Sequence, residues 1–338
     1  METMGAAYGT VGDAHRVVRD WAAALESYQQ TRAWLQKTGQ QHQIGTMHHK
    51  VGMVYHEQRD WPRAFESYRQ ALAWMEKTGQ HHYIGGTYHH VGRVYHDQRD
   101  WPKAIESYQQ ALAWYEKTGQ HHEIGGSYHQ VGRIYEEQCD WAKALENYQH
   151  ALAWMEKTGQ HHEIGLTYHQ VGRVYEQQRD WLKALENYQQ ALAWFEKTGQ
   201  HHQIGGTYHH VGRVYQEQRD WLKALENYNQ TLAWMEKTGQ HHEIGGTLAQ
   251  LGLLYETQGD HGAAARHYQE ALGFFLSRGY SDPQHVIAAM RLLKKRFFEA
   301  AAHDDLAPVR QRFERMLAEH SELRELSERL DREREGEA

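Results

Sequence analysis

Pairs of histidines recur at His81-His82, His121-His122, His161-His162, His201-His202 and His241-His242, within a total of 28 histidines. Imidazoles at this density suggest metal ligation or proton transfer, and spacing decides between those and packing. Neighbouring helical residues point about 100° apart, so one pair does not readily share an ion. His82 and His89 lie about 10 Å apart along a helix, too far for joint ligation. Ligation would need histidines from neighbouring segments to converge. The expectation is therefore no metal and no cofactor.

Other fragments imitate active sites without their context. Lys-Thr-Gly recurs from Lys37 to Lys237, but no Ser-x-x-Lys nucleophile motif accompanies it. His122-Glu123 lacks the second histidine at the spacing a zinc protease needs. No Gly-x4-Gly-Lys-Ser/Thr phosphate loop is present. Acidic neighbours such as Glu136 and Glu137 read as a solvated helix face. The chain is expected not to be an enzyme, with no catalytic residue.

The elements that would carry these residues repeat every 40 positions. Trp21, Trp61, Trp101, Trp141, Trp181 and Trp221 mark one column, and Trp34, Trp74, Trp114, Trp154, Trp194 and Trp234 a second. In the segment 81–120, Ile84, Tyr88, Val91 and Tyr95 fall on one face of a helix. Gly92 shares that face, where a missing side chain admits a neighbouring helix at a cost of about 1 kcal/mol in helix propensity. Asp100 is placed to cap a second helix, with Pro102 tolerated in its first turn. That helix carries Ala104, Ile105, Tyr108, Ala111, Leu112 and Tyr115 and ends near Gly119, where a left-handed residue is common. Neither helix can bury its stripe alone, so hairpins must stack on their neighbours. Trp114 lies beside the main stripe and either packs on the next segment or stays partly exposed.

Tyr88-x2-Val91-Gly92-x2-Tyr95, then Ala104-x3-Tyr108-x2-Ala111, resembles the tetratricopeptide signature over residues 1–277. The period is 40 instead of 34, and Lys-Thr-Gly-Gln replaces the closing proline. Such long units are similar to those of spindle-orientation adaptors, kinesin light chains and bacterial sensor arrays. The resemblance implies an all-α fold, a right-handed superhelical α-solenoid of seven helix-turn-helix repeats with C-terminal capping helices. It also implies that the first helices line a concave ligand groove. Carried through the matched register, the groove positions are His89, Arg93, His96 and Asp97, with Gly86 and His90 beside them. Their counterparts are His129, Arg133, Glu136 and Glu137; His169, Arg173 and Glu176; and His209, Arg213 and Glu217. The stacked arginines repel one another and favour either an anionic partner or internal relief by Asp97, Glu137 and Glu217 one helical turn on.

Repeats are expected at about 1–40, 41–80, 81–120, 121–160, 161–200, 201–240 and 241–280, with 281–338 a separate helical cap and charged helix. The first and last copies are degraded, as terminal repeats are. One helix is expected from about Gln284 to Ala301 and a second from about Leu306 to Arg334. The second either lies on the end of the array, pairs as a coiled coil, or frays.

A formal charge of −7 gives no nucleic-acid footprint. No segment reaches the roughly 20 apolar residues of a membrane span, and the N-terminus has no signal-peptide pattern. The single Cys139 stands where other repeats carry arginine and suits a reducing compartment. A cytoplasmic protein without nucleic-acid or membrane partners is expected. The primary functional expectation is a scaffold that binds a protein or peptide, with acidic groups where it meets the arginines. The alternatives are a sensor or docking subunit of a larger signalling complex, and a structural protein self-associating through its ends or its C-terminal helix.

Overall fold

In the computed structural model the described residues are 2–240, 244–277 and 307–319, with a few single positions beyond. Among them every regular element is helical and no strand occurs. The chain divides into two compact units, residues 1–167 and 168–338.

The first unit holds α1 (Glu2–Val17) and α2 (Trp21–Lys37), α3 (Ile44–Glu57) and α4 (Trp61–Thr78), α5 (His81–Asp97) and α6 (Trp101–Thr118), and α7 (His121–Glu137) and α8 (Trp141–Thr158). Each pair is an antiparallel hairpin, and α2 packs on α3, α4 on α5 and α6 on α7. The unit boundary falls inside α9 (His161–Gln177). The second unit continues with α10 (Trp181–Thr198), α11 (His201–Glu217), α12 (Trp221–Thr238), α13 (Ile244–Thr257) and α14 (His261–Ser277). The seven expected helix pairs are all present.

Two corners build each hairpin. Between its helices one residue turns left-handed: Arg99 at φ 59°, and in the other copies Arg19, Arg59, Cys139, Arg179 and Arg219. Asp100 then returns its amide to Tyr95 O at 2.9 Å, and its carboxylate accepts from the Lys103 amide as the helix cap. Lys-Thr-Gly-Gln is a helix stop. Gly119 is left-handed at φ 72°, Gln120 N donates to Tyr115 O at 2.8 Å, and Thr118 Oγ1 donates to Trp114 O at 2.7 Å. These bonds satisfy carbonyls that the ended helix leaves open.

The core of each unit holds one fully buried tyrosine per hairpin: Tyr28, Tyr68, Tyr108 and Tyr148 in the first, and Tyr188, Tyr228 and Tyr268 in the second. Each ring lies on the glycine of its own first helix. A Cβ on Gly132 would stand 2.7 Å from two carbons of Tyr148, closer than real atoms approach. Within each unit the rings also meet the next hairpin: Tyr108 with Val131 and Ile134, and Tyr228 with Leu251 and Leu254. Burial of each such aliphatic side chain stabilises by about 1.5–3 kcal/mol. Trp114 packs backwards, on Ala71 and Met75 of the preceding hairpin and on Ile84 of its own. Lys117 Nζ covers its other face at 4.3 Å from the ring centroid.

The helix expected over 284–301 lies outside the described residues. Part of the longer one is α15 (Ala307–Glu319), which packs on α14. Phe313 is buried, and Met316 Sδ lies 3.8 Å from Gln269 Nε2.

Candidate functional site

The site expected from the register lies on the first helices, and adjacent hairpins meet along this face through hydrogen bonds. His89 Nδ1 stands 3.0 Å from Ser127 Oγ, His129 Nδ1 3.0 Å from Thr167 Oγ1 and His169 Nδ1 3.0 Å from Thr207 Oγ1. His49 repeats the arrangement with Thr87 at 3.0 Å, and His209 with Thr247 at 3.4 Å. Each partner is 38 residues further on, which is the spacing of facing positions on successive first helices. Thr87, Thr167 and Thr207 already donate their hydroxyl hydrogens to the carbonyls of Tyr83, Glu163 and Gln203. The geometry therefore assigns the imidazole proton to Nδ1, as donor.

His89, His129, His169 and His209 are accordingly half-buried struts between hairpins, and His89 also lines the cavity on this face. Each also packs on its hairpin's core tyrosine, with ring centroids 5.1–5.5 Å apart. Burial, then the nearby arginine, holds His89 and His129 down at about 4. His209 falls to about 4 and His169 to about 3, by burial, then His210, then the arginine of each helix. All four are neutral at pH 7.

The acidic positions also differ from expectation. Asp97 meets His56 Nε2 at 2.8 Å, and Glu137 meets His96 Nε2 at 3.0 Å. Both histidines lie 41 residues earlier, on the preceding hairpin. Of the expected arginine–acid pairs one turn apart, Arg133–Glu137 stands at 3.9 Å. Arg93 is exposed and forms no ion pair or hydrogen bond to a described residue. The hairpin stack explains this, because it presents a neighbour closer to Asp97 than the arginine one turn back. Arg133 also donates to Gln130 at 3.4 Å and Arg173 to Gln170 at 3.0 Å. Glu217 is exposed.

Glu136 and Glu176 turn inward. Tyr148 Oη donates to Glu136 and Tyr188 Oη to Glu176, each at 2.6 Å. Arg213 reaches the same Glu176 carboxylate at 3.3 Å. Burial alone would raise the Glu176 carboxyl, but hydrogen bonds from His210 and Tyr188 and the charges beside it hold it below its ordinary value.

Sequence reasoning missed the threonine partners, the tyrosine hydroxyls and the role of His90 and His210. The available signal was a small hydroxyl residue at every fortieth position, Thr87, Ser127, Thr167, Thr207 and Thr247. In the first unit a cavity of about 450 Å³ opens on this face, lined by Thr46, His49, His90, Arg93, Tyr115 and Glu123 among others. Among the described residues no three His, Cys, Asp or Glu side chains are grouped to hold a metal, and no helix is long and apolar enough to cross a membrane.

Two-helix units that close on one another through a buried tyrosine define an all-α helical-repeat protein, a class typical of protein–protein interaction. The tetratricopeptide repeat model matches residues 3–77, 43–117 and 203–277, together more than half of the sequence. The chain belongs to the tetratricopeptide repeat family. Residues 86–236 also match the model of soluble NSF attachment protein.

Three solved structures share the fold. One is a signal transduction ATPase with numerous domains, carrying a tetratricopeptide repeat sensor, from Pyrococcus horikoshii. It is 15% identical at a TM-score of 0.67, covering 95% of this chain and 48% of that one. Aspartyl phosphate phosphatase F from Bacillus subtilis is 13% identical at 0.59, covering 79% and 69%. A Rap protein complexed with competence and sporulation factor is 16% identical at 0.52, covering 97% and 98%. At these identities the likeness shows the fold alone. No curated protein sequence matches the chain.

Proposed function

We propose that this chain is a non-catalytic scaffold that holds a protein or peptide segment on the exposed face of its first helices. The observation that carries the reading is Arg93, a cation without an acidic partner at the edge of an open cavity. Arginine satisfies a planar acidic group with two parallel bonds, so acidic groups in the partner fit this place. Residues 1–280 form the binding array in this reading, and the segment from 281 caps it. The packing of α15 on α14 supports that division.

Pull-down from a lysate of the source cell, with mass spectrometry, tests the reading. Arg93→Glu combined with Arg133→Glu is expected to keep the helical circular dichroism and lose the partners captured by wild type. An identical set of partners from both proteins would end the proposal.

A second reading makes the chain the sensing or docking part of a larger signalling assembly. Its support is the likeness along 95% of this chain to a structure whose repeats are described as a sensor. Co-purification with a nucleotide-hydrolysing or regulatory chain would favour it over a free-standing scaffold.

A further inference from the structure

The segment 81–120 departs from its siblings at two places. Tyr83 stands where other copies carry Gln43, Glu123, Glu163 and Gln203, and Tyr115 where they carry Leu35, Met75, Met155, Phe195 and Met235. Both phenols line the cavity of about 450 Å³ in the first unit.

Tyr115 is only 3% exposed. Its ring lies against Gly85, and its Oη lies beneath Gly86, where a new Cβ would stand 3.8 Å away. The hydroxyls of Tyr68 and Tyr108 are sealed, whereas that of Tyr115 opens on the cavity and forms no hydrogen bond to a described residue. Methionine makes the same contact on Gly45 and Gly125 with no polar atom to satisfy. The Tyr115 hydroxyl therefore adds nothing to packing, and a buried polar group is favoured only when it is bonded. Tyr83, beside it on the cavity wall, leaves 43% of its surface exposed.

The charge at this end of the cavity is negative. Glu123, in the first turn of α7, lines it. Burial, then the Glu123 charge, raises the Tyr115 phenol, so its proton stays on oxygen at neutral pH. Burial, then Glu123 again, raises the Glu163 carboxyl one repeat on. Two neighbouring carboxylates repel, and a cation beside them relieves both. His122 Nε2 stands 3.0 Å from Glu123, but both side chains are exposed and such a pair contributes little. Burial above all keeps His49, His89 and His90 neutral at pH 7. Arg93 lines the far end, ten residues and about 15 Å along α5 from Tyr83, where its charge is largely screened.

We infer that this end of the cavity binds a primary ammonium group carried by a lysine side chain, with Glu123 and Tyr115 Oη accepting its hydrogens and the Tyr83 ring face against its charge. A quaternary ammonium has no hydrogen to give Tyr115, so the site selects against it. Carriage on a peptide rests on the scaffold reading above, while the ammonium contacts do not.

The test is a titration of ¹³C-tyrosine-labelled protein, at fixed ionic strength, with four probes. They are n-butylammonium chloride and the blocked pentapeptide Gly-Gly-Lys-Gly-Gly, the latter also with norleucine or trimethyl-lysine for Lys. The lysine peptide is expected to move the Tyr83 and Tyr115 ring resonances, butylammonium to do so more weakly, and the norleucine peptide not at all. Tyr115→Phe should keep the helical circular dichroism, because Phe195 fills the equivalent place. Read at Tyr83, it and Glu123→Gln are each expected to weaken lysine-peptide binding by about tenfold. Should Glu123→Gln fold poorly, Tyr83→Gln, which copies Gln203, takes its place and is read at Tyr115. Equal shifts from the lysine and norleucine peptides, tighter binding of the trimethyl form, or unchanged binding in the folded variants overturns the inference. Tighter binding of butylammonium than of the lysine peptide overturns the lysine assignment. A pull-down that fails while the lysine peptide still binds ends the scaffold reading and leaves this site standing.

Discussion

His129 reaches across one hairpin boundary to Thr167, 38 residues along the chain, placing its Nδ1 3.0 Å from the threonine hydroxyl. The bond needs a proton on Nδ1, because the hydroxyl hydrogen is already committed to the Glu163 carbonyl, and burial keeps the ring otherwise neutral. Equivalent struts at His49, His89, His169 and His209 join further neighbouring hairpins within their units.

Acid should therefore loosen the array. Burial, then neighbouring positive charge, holds His49, His89 and His129 at about 4, below the ordinary 6.5. The unfolded chain then binds more protons than the folded one as pH falls. The stability from the neutral struts is full above pH 6.5 and is lost progressively from there towards pH 4. Each histidine contributes at most about 1.4 kcal/mol per pH unit in that window. Urea midpoints across the range measure the effect, and a flat profile from neutral pH down to the histidine values would contradict it.

Two glycines in α7 should respond with opposite signs. A Cβ at Gly132 would meet the Tyr148 ring at 2.7 Å, so Gly132→Ala should destabilise by about 1–3 kcal/mol through overpacking. Gly126 has nothing within 4 Å of a new Cβ. There Ala should stabilise by about 0.5–1 kcal/mol through helix propensity alone. Equal effects in urea melts would deny the close approach.

Gly159 tests the helix stop separately from packing. Its φ is 73° and no atom lies within 4 Å of a new Cβ. Gly159→Ala should cost about 1–2 kcal/mol from the left-handed backbone alone. Wild-type stability in the variant would mean that the corner relaxes to another conformation.

Cys139 occupies the other left-handed corner at φ 58°, with an exposed side chain. Cys139→Gly relieves about 1–2 kcal/mol of backbone strain, against about 0.5–1 kcal/mol of extra chain entropy. A small net gain in thermal midpoint is expected, with loss of the single thiol in a thiol-reagent assay. A clear drop in midpoint would show that the thiol makes a contact worth more than the strain.

The forty-residue period, the two helices of each segment, the Asp100 cap and the Gly119 stop were all legible in the amino-acid order. Each depends on residues within one turn or one hairpin, where spacing alone places side chains on a face. The glycine–tyrosine contact was half legible: Gly92 announced a close approach without naming Tyr108 as its partner. The site was less legible. The register put His89 and His129 on an open face because it describes one hairpin, and both are claimed by the next.

What the sequence by itself determined is the all-α repeat, since 3.6-residue periodicity and capping chemistry are local. Which polar groups are spent inside the stack, and which are left over, was decided only in three dimensions. His56 and Glu176 occupy the same place in the repeat, yet one turns to Asp97 and the other to Tyr188, His210 and Arg213. That choice depends on what the neighbouring helix offers within about 3 Å, the range of a hydrogen bond, and a linear pattern carries no such distance.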